Sequence, residues 1–206
     1  MGSSPAKNPR GERRRAAILE AAKAVFVERG FANASLDDVI RRSGGSRATL
    51  YRQFGDKEGL FAAIIEQISA EMVAPLRSFP TDQDPELILL AFGRAFMSAL
   101  MAPSGLALYR VLIGEAERFP ELAKAVYRSG PLVAAEQLAL RLGRWNAEKR
   151  VSVTNPDMTA RQFLEMIKGD LHFRALLRLD TPRENEIDAC VRSAVRLLVA
   201  GISKHN

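Results

Sequence analysis

The chain has 206 residues, 47% of them apolar, and a formal net charge of +6. That apolar content can fill a real core and excludes a wholly disordered chain. The single cysteine, Cys190, excludes an internal disulfide, and with only His172 and His205 beside it there is no zinc ligand set, so neither metal nor cofactor is expected.

The charge is unevenly placed. Residues 1–58 hold 12 Lys and Arg against 7 Asp and Glu, which leaves 18 against 17 for the rest. A basic head on a near-neutral body suits a polyanionic partner at the head alone. The N-terminal basic residues are followed by no apolar segment, and the apolar runs are too short to cross a bilayer, so neither a signal peptide nor a span is expected and the predicted location is cytoplasmic.

Apolar residues recur at helical spacing almost throughout, with no sustained alternation, so the expected fold class is all-α with about nine helices. Residues 1–12 read as a disordered basic tail. A first helix over residues 13–29 places Ile18, Ala22, Val25 and Phe26 on one face and stops at Gly30. Ser35 is the expected N-cap of a short second helix, and Gly44 and Gly45 break it. A third helix starts at Ser46, with Leu50 and Phe54 as its inward pair; Asp56 caps a long fourth helix that carries Leu60, Phe61, Ile64, Ile65, Ile68 and Met72 out of the head. After a Pro- and Asp-rich linker over residues 78–85, further helices begin near Asp84-Pro85, Leu106, Pro120 and Asp157. Gly130-Pro131 should break or kink one of them, and Thr181-Pro182-Arg183-Glu184 should start the last, with Thr181 as N-cap.

The two glycines inside SGGSRATLYRQF raise the question of a phosphate cradle. Such a loop needs a preceding strand and a following Gly-Lys-Ser/Thr, and neither is present; a dinucleotide fingerprint fails for the same reason. A helix, a tight turn and a second helix is instead the geometry that lays one helix in the DNA major groove while the other braces it. Arg47, Ala48, Thr49, Tyr51, Arg52 and Gln53 supply donors and small groups on the outer side, and the free amides near Ser46 suit a phosphate oxygen. On the residues alone, an ordinary helical hairpin with a polar face remains open.

The stretch SLDDVIRRSGGSRATLYRQFGDKEGLF, preceded by RRRAAILEAAKAVFVERGF, resembles the DNA-binding head of the TetR family of bacterial transcriptional regulators, and Leu108–Tyr127 is similar to the body of one branch of it. The resemblance implies a helix-turn-helix head over residues 13–58, joined by the fourth helix to a ligand-binding and dimerisation body over residues 59–206. It implies that Ser35 touches phosphate, that Arg47, Thr49, Arg52 and Gln53 face the groove, that Tyr51 contacts phosphate or a base edge, and that Lys57 fixes the DNA backbone. Many members carry an apolar residue where this chain has Gly45.

For the body, Phe92, Phe96, Met97, Met101, Tyr109, Glu115, Tyr127 and Trp145 form a set able to line a cavity for a small apolar or amphipathic effector. Ile187, Val191, Ala194, Val195 and Leu198 make a wide apolar stripe on the last helix. Phe163, Ile167 and Leu171 line one side of the helix before it, and Met166, Phe173 and Leu177 another. With the resemblance, the two stripes suggest a homodimer interface. The expected function is a sequence-specific DNA-binding regulator, a repressor released from a palindromic operator by its effector. The rivals are a basic module for acidic membrane surfaces, which lacks the long amphipathic helix, and an all-α enzyme, which lacks a paired acid and base.

Overall fold

A computed structural model describes residues 9–80 and 82–202. Ten helices follow in order: α1 (Pro9–Asn33), α2 (Leu36–Ser43), α3 (Arg47–Phe54), α4 (Lys57–Ser78), α5 (Pro85–Met101), α6 (Pro103–Glu115), α7 (Pro120–Ser129), α8 (Pro131–Ala147), α9 (Pro156–Leu176) and α10 (Glu184–Ile202). Gly130-Pro131 breaks the chain between α7 and α8, one of the two outcomes expected there. Six helices, α1 and α5 to α9, carry proline in their first turn. The N–H that proline lacks has no helical partner there, so the residue fixes the start without loss.

Two elements depart from the sequence reading. The expected tail over residues 1–12 lies outside the described residues as far as residue 8, and Pro9 to Glu12 belong to α1. At Gly30, with φ 72 and ψ 172, the backbone leaves the helical region as the expected stop requires, and a further helical turn follows it to Asn33. The last helix starts at Glu184, after Arg183, because the Arg183 backbone N–H donates to Glu186 Oε2 at 2.9 Å while Thr181 and Pro182 stay outside the helix.

The chain buries two apolar cores. One gathers Ile18, Ala22 and Phe26 of α1, Val39 of α2, Leu50 and Phe54 of α3, and Leu60, Phe61 and Ile64 of α4, together with Leu108, Leu122 and Val126 from α6 and α7. Phe26, Phe31, Phe61 and Phe119 pack ring against ring inside it, with centroids 5.0 to 5.7 Å apart. The second core holds Met72 and Val73 of α4, Phe92 and Met97 of α5, Leu138 and Trp145 of α8, Phe163 and Ile167 of α9, and Val191 and Val195 of α10. Each large side chain fully buried in this way stabilises the fold by roughly 1.5–3 kcal/mol. α4 has the length and hydropathy of a membrane span, yet half of that stretch is buried, because its early turns serve the first core and its later turns the second.

The second core overturns the expected dimer surface. Phe163, Ile167, Leu171, Val191, Ala194, Val195 and Leu198 are buried within one chain, and Ile187 packs against the same core, so this stripe has no face to offer a partner. The large apolar residues left outside here are Met158, Met166 and Phe173 of α9, 52%, 38% and 63% exposed, Leu177 just past its end, 54% exposed, and Leu197 of α10, 65% exposed. Small residues Ala189, Ser193 and Ala200 are also at the surface of α10.

Candidate nucleic-acid interface and internal cavity

α2 ends at Gly44, whose φ of 68 is reached cheaply only without a side chain, and whose N–H closes the helix on Ile40 O at 2.9 Å. Arg14 Nη2 donates to the Gly44 carbonyl from α1, which ties the turn to the bracing helix. α3 then opens on Ser46, whose Oγ accepts from the Thr49 N–H at 3.2 Å and donates to Thr49 Oγ1 at 2.9 Å. Leu50 and Phe54 turn inward, with the Arg15 guanidinium 5.2 Å from the Phe54 ring centre. Ala48, Tyr51, Arg52 and Gln53 are exposed, so the eight-residue helix is anchored along one side and open along the other.

The other expected contact residues are more committed. Arg47 donates Nε to Asp37 Oδ1 at 2.9 Å and Nη2 to the second oxygen, a two-point pair across the turn. The hydrogen bond from Arg47 holds the Asp37 carboxyl below the usual range. Ser35 caps α2 by accepting from the Asp38 N–H at 3.2 Å, and its hydroxyl donates to Asp38 Oδ2 at 2.7 Å. Asp38 is also approached by Arg29 and Arg41; the Ser35 hydrogen bond first, then these two cations, lower its pKa.

Lys57 is placed differently from the expectation. Its Nζ donates to Phe31 O at 2.8 Å, Ala32 O at 3.2 Å and Ala34 O at 3.3 Å, and it sits 4.6 Å from the Phe31 ring centre. An ammonium has three donors, and all three are engaged, so Lys57 is a strap between α4 and the turn after α1 and is corrected from a DNA-backbone contact to a positioning residue. The same turn is held from the body: Glu115, at the end of α6, accepts from the Ala32 N–H at 3.1 Å.

An internal cavity of about 490 Å³, within the range of small-molecule sites, lies between α4, α5, α6, α7, α8 and α9. Of the expected lining residues, Phe96, Tyr109 and Tyr127 are on its wall. The other five are not. Phe92, Met97 and Trp145 are fully buried in the second core, where Phe92 stacks on Phe163 at 6.4 Å and Trp145 lies under Arg141; Met101 packs against that core, and Glu115 is the latch to α1. The periodicity of α5 showed two buried sides and could not say which met empty space. Sequence reasoning missed Ser69, Leu164, Lys168 and His172, which do line the cavity. Phe61 belongs to both structures: it is part of the cavity wall and packs on Phe26 and Phe31 of the head.

Comparison with known proteins finds two family profiles. The one described as bacterial regulatory proteins, tetR family, matches residues 18–64, and the one described as the C-terminal domain of AefR-like transcriptional repressors matches residues 88–201. The transcriptional repressor Rv3405c of Mycobacterium tuberculosis is 31% identical over 137 residues, 62% of this chain and 70% of that protein. A TetR-family regulator from Mesorhizobium loti superposes with a TM-score of 0.81 over 96% of this chain and 100% of its own, at 22% identity. The flavonoid-responsive regulator FrrA superposes with a TM-score of 0.70 over 95% of this chain and 100% of its own, at 28% identity.

Proposed function

The chain belongs to the TetR family of bacterial transcriptional regulators and is a DNA-binding regulator, and from that premise we propose that it is a homodimeric repressor released from its operator by a small apolar molecule held in the cavity. The family binds operator DNA and typically dimerises. In this reading α3 enters the major groove, with Tyr51, Arg52 and Gln53 facing the DNA, while Arg47 reaches a base or phosphate when it leaves Asp37. Ser35, Ser46 and Thr49 shape the ends of α2 and α3 and bring backbone amides toward phosphates. The head spans residues 13–58 with the first turns of α4 packed into it, the rest of the chain is the ligand-binding and dimerisation body, and the place of action is the cytoplasm. The dimer interface is the outer face of α9 and α10, built on Met166, Phe173, Leu177 and Leu197.

One observation carries the coupling of cavity to head. The turn over residues 30–34 of α1 is gripped from two sides, by Glu115 of α6, a helix that lines the cavity with Leu108, Tyr109 and Leu112, and by Lys57 of α4, which lines it with Phe61. A ligand that moves α4 or α6 therefore moves the point on which α1 and the whole head pivot. Couplings of this kind amount to about 1–3 kcal/mol, or roughly 5- to 150-fold in affinity. The test is operator binding with and without a compound shown by calorimetry to occupy the cavity. DNA affinity should fall in that range, and Glu115→Ala should bind DNA with a much smaller fall. A bound compound that leaves DNA affinity unchanged contradicts the proposal.

A further inference from the structure

The effector reading leaves the chemical class of the ligand open, and two unpaired polar atoms, on residues that line the cavity, narrow it. Ser69 is 2% exposed and His172 6% exposed. Ser69 Oγ and His172 Nε2 are both buried without a hydrogen-bond partner, and both residues line the same cavity. Ser69 stands on α4 and His172 on α9, so the two lie on different walls. Between them the surface is apolar, formed by residues such as Ile65, Phe96, Leu108 and Leu164. Buried polar groups are rarely left unpaired, so two of them among the residues of one cavity call for a partner.

We propose that the cavity takes an uncharged, mostly apolar molecule bearing hydroxyl groups, one hydroxyl pairing with His172 Nε2 and another with Ser69 Oγ. This rests on the cavity being the effector site. A hydroxyl both donates and accepts, so it satisfies either tautomer of a neutral imidazole and either role of a serine, whereas a carboxylate satisfies donors only. Burial, with Lys168 beside it, favours the uncharged imidazole. The Tyr109 ring meets the His172 ring edge to face at 5.1 Å and holds it upright on the wall. The cations among the lining residues are engaged: Lys168 Nζ is 2.7 Å from Glu165 Oε1, and Arg161 Nη1 donates to Tyr127 Oη at 3.2 Å. A fatty carboxylate would have to compete with Glu165 for Lys168 and would still leave the two orphaned atoms unmet.

The test uses the full-length protein and three probes: apigenin, a flat aromatic with three phenolic hydroxyls; its tri-O-methyl ether; and laurate. Binding is measured by calorimetry and operator release in parallel. Apigenin should bind about tenfold or more tightly than its ether, and laurate more weakly than either. Ser69→Ala and His172→Phe should each lower apigenin affinity about tenfold while leaving the affinity for the ether unchanged. Ser69→Ala removes an unpaired hydroxyl, so its thermal stability should equal or exceed that of the parent, and it remains informative if His172→Phe folds poorly. Equal binding of apigenin and its ether, tighter binding of laurate, or absence of apigenin binding overturns the hydroxyl assignment. Hydroxyl-dependent binding that releases no DNA leaves this assignment standing and overturns the effector reading instead.

Discussion

The residues whose chemistry was easiest to read from sequence divide into those that face out and those already committed. Arg52 and Tyr51 are exposed on α3, whereas Lys57, equally basic, is bound by three carbonyls. Arg52→Ala should therefore lower operator affinity about tenfold, in line with one lost groove contact, with an unchanged melting temperature. Lys57→Ala should lower stability by about 2 kcal/mol, the scale of hydrogen bonds made by a charged group, which thermal unfolding measures directly. His172 makes a prediction about pH. Burial lowers its pKa from the ordinary 6.5, so the unfolded chain binds its proton more readily; stability is complete above about 6.5 and falls as pH drops below it. His172→Phe should flatten that part of the curve in a pH series of melting temperatures. None of these distinctions was available from spacing, because a carbonyl cage and an orphaned nitrogen are made by residues far apart in the chain.

Among the elements, the caps in the head were legible, the one expected at Thr181 was not, and neither were the faces. Ser35, Ser46 and Asp56 act on N–H groups three residues ahead, so a short window contains the whole interaction. The turn of Gly44 is equally local. A helix with apolar residues on two sides gives no local sign of which side meets its own chain, and the stripe through Val191 and Val195 went to the core while Phe173 and Leu197 stayed outside. On the proposed interface, Phe173→Asp with Leu197→Asp should give a folded monomer in sedimentation, whereas Val191→Asp should unfold the body, since it buries a charge without a partner. α5 and α10 also approach closely at Gly93, where an added Cβ would lie 2.8 Å from Val191 Cγ1. Gly93→Ala should cost about 1–3 kcal/mol through overpacking. Gly45 is the contrasting case: a Cβ there would meet only Ser43 Oγ at 3.3 Å and the flexible tip of Arg14, so no close backbone approach requires glycine at this position.

For the molecule as a whole, the all-helical architecture and the basic head were readable because they depend on periodicity and composition, which sum over many residues. The cavity was not, because a void is defined by what six helices fail to fill between them. Its wall and the head share Phe61, and the turn that follows the Gly30 kink is held by Lys57 and Glu115, so the head is fixed to the body through a few named contacts. A dimer built through α9 and α10 carries two heads, which must meet DNA one helical turn, about 34 Å, or a multiple of it apart. The most direct measurement of that claim is selection of bound sites from random DNA by the full-length protein. The account predicts enrichment of a two-fold symmetric sequence, bound steeply less well as salt rises and no longer enriched by the Arg52→Ala variant. Enrichment of an asymmetric site, or of no sequence at all, would contradict it.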